Sequence, residues 1–202
     1  MSFIAWLADF PRRLRRRLNT LIVVPQLARA GSGVSLGAGF RVNHPEFVHI
    51  GDGVEINDFC WISLLLVNSE RGAIALTCRP KVSIGDRTYV GRFATLACMD
   101  SIEIGNDVLI SDRVFIGDCN HGSTRTDLPI KDQYLTSPGK VVIGDGAWLG
   151  IGVSILPNVR IGRNAVIGAN SVVCEDVADF HVAAGVPARI LRRLDAGTPG
   201  GH

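Results

Sequence analysis

IGDGAWLGIGVSILPNVRIGRNAVIGANSVV, residues 143–173, sets an aliphatic side chain at every sixth position: Ile143, Leu149, Ile155, Ile161, Ile167 and Val173. A period of six fits neither an ordinary helix nor a flat strand. The same role returns upstream if the phase slips at turns, at Ile50, Ile56 and Ile62, at Ile84, Val90 and Leu96, and at Ile104, Ile110 and Ile116. The residue after the aliphatic one is Gly in nine of these fifteen cases, and four residues after it come small or β-branched residues such as Val54, Thr88, Ala94, Val108, Ala147, Val153 and Ser171. The repeated unit is therefore aliphatic, Gly, two variable, small, variable.

Three such hexapeptides make one triangular coil. Each flat face points an aliphatic side chain into a narrow shaft, and each corner calls for small residues or for the positive φ that Gly permits. Coils then stack at β-ladder spacing of roughly 4.8 Å. The corner chemistry also recurs, in Ile50-Gly51-Asp52, Ile84-Gly85-Asp86, Ile104-Gly105-Asn106 and Ile143-Gly144-Asp145. A partial first coil runs through Leu36, Gly37 and Val42. The expected fold is an all-β solenoid, a parallel β-helix of hexapeptide repeats. A sandwich of period-two strands explains neither the period nor the glycines.

The chain divides into a basic amphipathic helix over 1–30, the β-helix over 31–183 with insertions at 64–81 and 118–140, and a C-terminal helix and tail over 184–202, with Pro187 as that helix's first residue. At 202 residues and 47% hydrophobic it is long enough to bury a continuous core. Cys60, Cys78, Cys98, Cys119 and Cys174 show no paired or metal-type spacing, as expected of small inward side chains in a reducing cytoplasm. No stretch reads as a membrane span, and the apolar Phe3 to Phe10 precedes the basic run, the reverse of a signal peptide. A net charge of +2 argues against nucleic acid as a partner.

That charge is concentrated at Arg12, Arg13, Arg15, Arg16 and Arg17, interleaved with Phe3, Leu7, Phe10, Leu14 and Leu18 on one side of a helix. Three readings stand: a cap on the open end of the shaft with solvated arginines, a peripheral membrane contact through residues 3–24, or a site for another anionic partner.

A bare shaft is a scaffold, so function is sought where the repeat breaks. Between Ile62 and Ile84, Leu64 to Val67 and Ala73 to Leu76 flank a polar turn and read as a hairpin flap. Between Ile116 and Ile143 a longer interruption opens with Gly117-Asp118-Cys119-Asn120-His121-Gly122.

The loop opening from Asp118 to Gly122, the re-entry Gly144-Asp145-Gly146-Ala147-Trp148-Leu149-Gly150, and Gly168-Ala169-Asn170-Ser171-Val172-Val173 leading to Ala183-Ala184-Gly185-Val186-Pro187-Ala188-Arg189 resemble the hexapeptide-repeat acyltransferases. Within them the match is to the galactoside, maltose and polysaccharide O-acetyltransferases, over roughly residues 31–193. The resemblance implies a left-handed β-helix, acetyl-CoA as co-substrate, no metal, and homotrimers with acyl sites between subunits. It implies His121 as catalytic base, which suits the chemistry: a sugar hydroxyl is a poor nucleophile until a neutral imidazole takes its proton, help worth about 10²–10⁴-fold. The alternative for His121 is a solvated loop histidine. Asp118 or Asp127 would orient the ring or serve as turn residues.

Trp148 matches a tryptophan that packs against the pantetheine arm, or else fills a subunit interface. Ala169 matches a position whose backbone meets the cofactor. Arg189 and Arg192 match positions facing CoA phosphates, or are solvated. Asn120 and Asp100 are the candidate acceptor contacts. The pattern also departs from the family. Cys174-Glu175 stands where these enzymes carry Thr-Lys, and their polar acceptor positions fall here on Gly91 and Met99, with Asp100 one residue late. The expected activity is O-acetyl transfer to a sugar hydroxyl in surface polysaccharide or lipopolysaccharide assembly. N-acetyl transfer to an amino sugar and a non-catalytic binding protein are the alternatives. A metal hydratase would need three histidines on adjacent faces, and His121 stands alone in the central coils.

Overall fold

The computed structural model describes residues 3–66, 68–70, 73–75 and 79–194, with the backbone alone for 3–10, 68–70 and 73–75. The short strands assemble into three ladders of six, eight and six strands, parallel but for the last strand of the second, that form the faces of a left-handed β-helix. The first face runs from Arg29–Ala30 through Val48–Ile50, Lys81–Ile84, Ser101–Ile104 and Val141–Ile143 to Arg160–Ile161. The second runs from Ser35–Leu36 through Glu55–Ile56, Tyr89–Val90, Leu109–Ile110, Trp148–Leu149 and Val166–Ile167 to His181–Gly185 and Ala188–Arg193. The third joins Arg41–Val42, Trp61–Leu64, Thr95–Cys98, Phe115–Gly117, Ser154–Ile155 and Val172–Val173.

The register is the repeat made physical. Ile50 pairs with Ile84, Ile84 with Ile104, Ile104 with Ile143 and Ile143 with Ile161, so each aliphatic side chain lies on its equivalent in the next coil. Leu36 and all fifteen ladder positions are at most 3% exposed, and a fully buried side chain of this size is worth about 1.5–3 kcal/mol. The small residues four positions on, from Val54 to Ser171, are buried with them.

The corners correct one expectation. Positive φ falls three residues after the aliphatic position, and that place is often not glycine: Phe59, Arg87, Phe93, Asp107, Arg113, Asn158, Asn164 and Asn170 all hold it. The glycine directly after the aliphatic residue is needed for close stacking instead. A Cβ on Gly85 would lie 2.5 Å from the carbonyl carbon of Gly105, and one on Gly105 would lie 2.3 Å from the Asp145 carboxylate. The next position carries the coil-to-coil hydrogen bonds. Ser32 donates its N–H to Asp52, Asp52 to Asp86, Asp86 to Asn106 and Asn106 to Asp145, at 2.7–2.9 Å.

Each end of the second face carries an added element. At the N-terminal end a helix, Phe3–Val23, supplies the missing partners: the Leu36 N–H donates to Thr20 Oγ1 at 3.0 Å, and Asn19 Nδ2 donates to the Gly37 carbonyl at 2.7 Å. The C-terminal helix expected from Pro187 does not form. Ala188–Arg193 is a strand that folds back antiparallel on His181–Gly185, so backbone pairing with His181–Gly185 replaces the helix that Pro187 suggested.

The first insertion is a hairpin, Asn68–Glu70 against Ala73–Ala75. Leu64 itself ends the third-face strand, and Val67, Leu76 and Cys78 lie outside the described residues. Cys60 and Cys98 are buried and Cys119 is half-buried, whereas Cys174 points outward. No helix among the described residues is long and apolar enough to cross a membrane.

Candidate active site

The second insertion leaves the shaft where the third face turns into the first. There Asp118 turns inward, fully buried, and its carboxylate accepts the N–H groups of Met99 at 2.7 Å and Asp100 at 2.8 Å, with the Cys98 thiol at 3.5 Å. One carboxylate thus ties the corner of the preceding coil to the base of the insertion. Burial, then the Asp118 charge, drives the Cys98 thiol far above its ordinary pKa, and the same two causes push Cys119 up to about 11.

Beyond Asp118 the chain forms a second hairpin, in which Asn120–His121 pairs antiparallel with Leu135–Thr136 and the Gly122 N–H donates to the Tyr134 carbonyl at 2.7 Å. The segment between is too polar for a core of its own, and a buried amide holds it instead. Gln133 Nε2 donates to the carbonyls of Arg125 at 2.8 Å and Leu128 at 3.1 Å, while its Oε1 accepts the Arg125 N–H at 3.2 Å. His121 projects into solvent, as do Asn120 beside it and Asp100 on the corner below. Neither candidate carboxylate orients the ring. Asp118 is spent on the Met99–Asp100 corner, and Asp127 pairs with Arg125 at 2.6 Å.

The cofactor candidates gather on the second face. Register pairing sets Tyr89, Leu109, Trp148, Val166, Val182 and Arg192 in one outward column. Tyr89, Leu109 and Trp148 form an exposed apolar wall within it, and the Trp148 indole N–H donates to Ser111 Oγ at 3.2 Å. Ala169 lies exposed on the corner that follows, one coil beyond Gly150, where a Cβ would come 2.8 Å from the Ala169 nitrogen. Arg189 reaches Glu175 at 3.3 Å, so the residue that replaces a family lysine engages one of the candidate phosphate ligands.

The chain therefore brings together His121, Asn120 and Asp100 at one corner, and Trp148, Ala169, Arg189 and Arg192 along another face. It does not bring the two groups to each other. Three contributors escaped the sequence reading: Ser111 under the indole, Gln133 inside the hairpin, and Asp118 as a structural tie. Only Ser111 carried a signal, as a polar residue in the place that Gly usually takes. The first face adds a cleft of about 470 Å³ lined by Arg29, His49, Lys81 and Ser83. Burial first, then Lys81 and Arg29, hold the His49 pKa down.

Stacked coils, corner hydrogen bonds and a hairpin set into the repeat define a hexapeptide-repeat β-helix. The family described as bacterial transferase hexapeptide (six repeats) matches residues 140–175 of the chain. It is 37% identical over 123 residues to the putative lipopolysaccharide biosynthesis O-acetyl transferase WbbJ of Escherichia coli K12, covering 58% of this chain and 63% of that protein. It is 32% identical over 197 residues to a probable acetyltransferase of Mycobacterium tuberculosis H37Rv, covering 95% of this chain and 59% of the relative. The chain thus spans about three fifths of the length of each of these two relatives. In fold it is similar to AntD, an N-acyltransferase from Bacillus cereus solved with dTDP and 3-hydroxybutyryl-CoA, at a TM-score of 0.69 and 23% identity over 89% of this chain and 87% of that one.

Proposed function

We propose that the chain transfers acetyl from acetyl-CoA to the hydroxyl of a sugar, in the assembly of surface polysaccharide or lipopolysaccharide on the cytoplasmic side, where acetyl-CoA is supplied. The observation that carries this reading is the hairpin that holds His121 exposed and clear of the shaft, beside Asn120 and above Asp100. A neutral ring nitrogen takes the hydroxyl proton as the oxygen attacks the thioester carbon. The tetrahedral oxyanion then collapses, the C–S bond breaks, and the departing CoA sulfur recovers the proton from the imidazolium. No covalent acyl-enzyme is needed.

Trp148 and the apolar wall beside it suit the pantetheine arm, Ala169 offers its exposed backbone, and Arg189 and Arg192 suit the CoA phosphates. Asn120 and Asp100 would contact the acceptor, and the cationic cleft of Arg29 and Lys81 suits a phosphate on the sugar's carrier. Because His121 and Trp148 occupy different faces, a complete site takes its base from one subunit and its cofactor wall from the next, which is the basis for proposing a homotrimer. The partners proposed are a second and third copy and a small or lipid-linked sugar.

His121→Ala should retain the fold and the mass of the assembly while the rate of CoA release falls by about 10²–10⁴-fold. Undiminished turnover would overturn the assignment. The relationship to AntD favours a second reading, N-acyl transfer to an amino sugar. Matched hydroxyl and amine acceptors in the same assay decide between them.

A further inference from the structure

A helix on the surface of a globular domain buries its apolar stripe and turns its charges to water. Over residues 11–22 the N-terminal helix does the reverse. Arg12 pairs with Asp58 at 2.5 Å and Arg16 with Glu55 at 3.1 Å, Asn19 and Thr20 bond the edge at Leu36 and Gly37, and of the helix's described apolar side chains only Val23, at its end, packs on the core. Leu14, Leu18, Leu21 and Ile22, at spacing i, i+4, i+7 and i+8, are 47, 46, 71 and 60% exposed. At 100° per residue Arg13 and Arg17 fall on one flank of this stripe and Arg15 on the other, and all three are exposed. A cleft of about 540 Å³ between helix and first coil is lined by Arg13, Arg16 and Arg17 together with the apolar Leu21 and Val34.

We propose that this helix lies flat in the interface of an anionic phospholipid bilayer, with the Leu14, Leu18, Leu21 and Ile22 stripe among the acyl chains and Arg13, Arg15 and Arg17 at the headgroup phosphates. The arrangement of an apolar stripe between cationic flanks matches that surface. The helix is not apolar enough to cross the bilayer, so it lies within the plane. Charge decides between lipid and a second copy as occupant. Two copies joined through this stripe would bring their rows of arginine together, whereas anionic headgroups neutralise them. The proposal does not depend on the acyl-transfer reading.

Flotation of the full chain with vesicles tests it, using phosphatidylcholine alone and phosphatidylcholine mixed with phosphatidylglycerol. Each arginine near an anionic surface is worth about five-fold in partition, so binding to the mixed vesicles should be at least about 25-fold tighter. A Leu18→Ser, Leu21→Ser, Ile22→Ser variant and an Arg15→Glu, Arg17→Glu variant should each lose ten-fold or more, with circular dichroism and the mass by light scattering unchanged. Equal partition to both vesicles, no flotation, or full binding by either variant would overturn the proposal. So would a smaller assembly in the serine variant, which would assign the stripe to a neighbouring subunit.

Discussion

Phe59 and Phe93 hold φ of 60° and 59°, where an L-residue normally pays about 1–2 kcal/mol. Their rings stack at 5.3 Å between centroids, one coil apart, which returns part of that cost. At the corners stacking and backbone strain are thus separate demands on separate residues, and the two classes of glycine should respond differently to a methyl group. Gly53→Ala meets nothing nearer than the Arg87 side chain at 3.7 Å and bears only the strain of φ +64°, about 1 kcal/mol. Gly85→Ala drives its Cβ to 2.5 Å from the backbone of the next coil and should cost about 2–3 kcal/mol. Urea unfolding of the two variants checks this, and equal losses would refute the division of labour. The same distinction explains what the sequence hid. A glycine that recurs beside the aliphatic position reads as a turn residue, and only the neighbouring coil shows that it makes room for backbone.

The elements that carry the chemistry were legible in part. Their location was plain, because the period breaks between Ile116 and Ile143 and resumes at Trp148. Their form was not. Residues 118–140 offer no alternating apolar pattern, so the pairing of Asn120–His121 with Leu135–Thr136 rests on the buried Gln133 amide, which no periodicity announces. The C-terminal segment misled for a different reason. Pro187 followed by a basic, aliphatic stretch has the local marks of a helix start, but the open edge at His181–Gly185 outweighs that propensity. The Asp118 corner is the element whose loss is most informative. Asp118→Ala strands the Met99 and Asp100 N–H groups and should cost about 2–3 kcal/mol. It should also lower turnover by loosening the His121 hairpin, with less effect on CoA affinity, since Trp148 lies on another face. Isothermal titration with CoA beside the CoA-release assay separates the two effects, and an equal loss of both would place Asp118 in the cofactor site instead.

At the scale of the whole molecule, the three-face plan was fully legible, because every face repeats the same six-residue unit and each coil adds the next layer to one shaft. The partition of candidate residues was not, because the face that a residue occupies follows from counting coils through both insertions. If the site is shared between subunits, His121→Ala and Trp148→Ala chains, each inactive alone, should regain activity when assembled together, to roughly a quarter of the wild-type rate for random mixing in a closed ring. No recovery would place base and cofactor wall in the same subunit. The covered ends of the second face set a limit that the repeat itself lacks. A stack of coils has no intrinsic length, and each terminal ladder is a template on which another chain can crystallise into a fibre. On the second face Thr20 and Asn19 take up that template at one end, and at the other the antiparallel Ala188–Arg193 breaks the parallel order a further coil would have to match, which favours assembly through the sides.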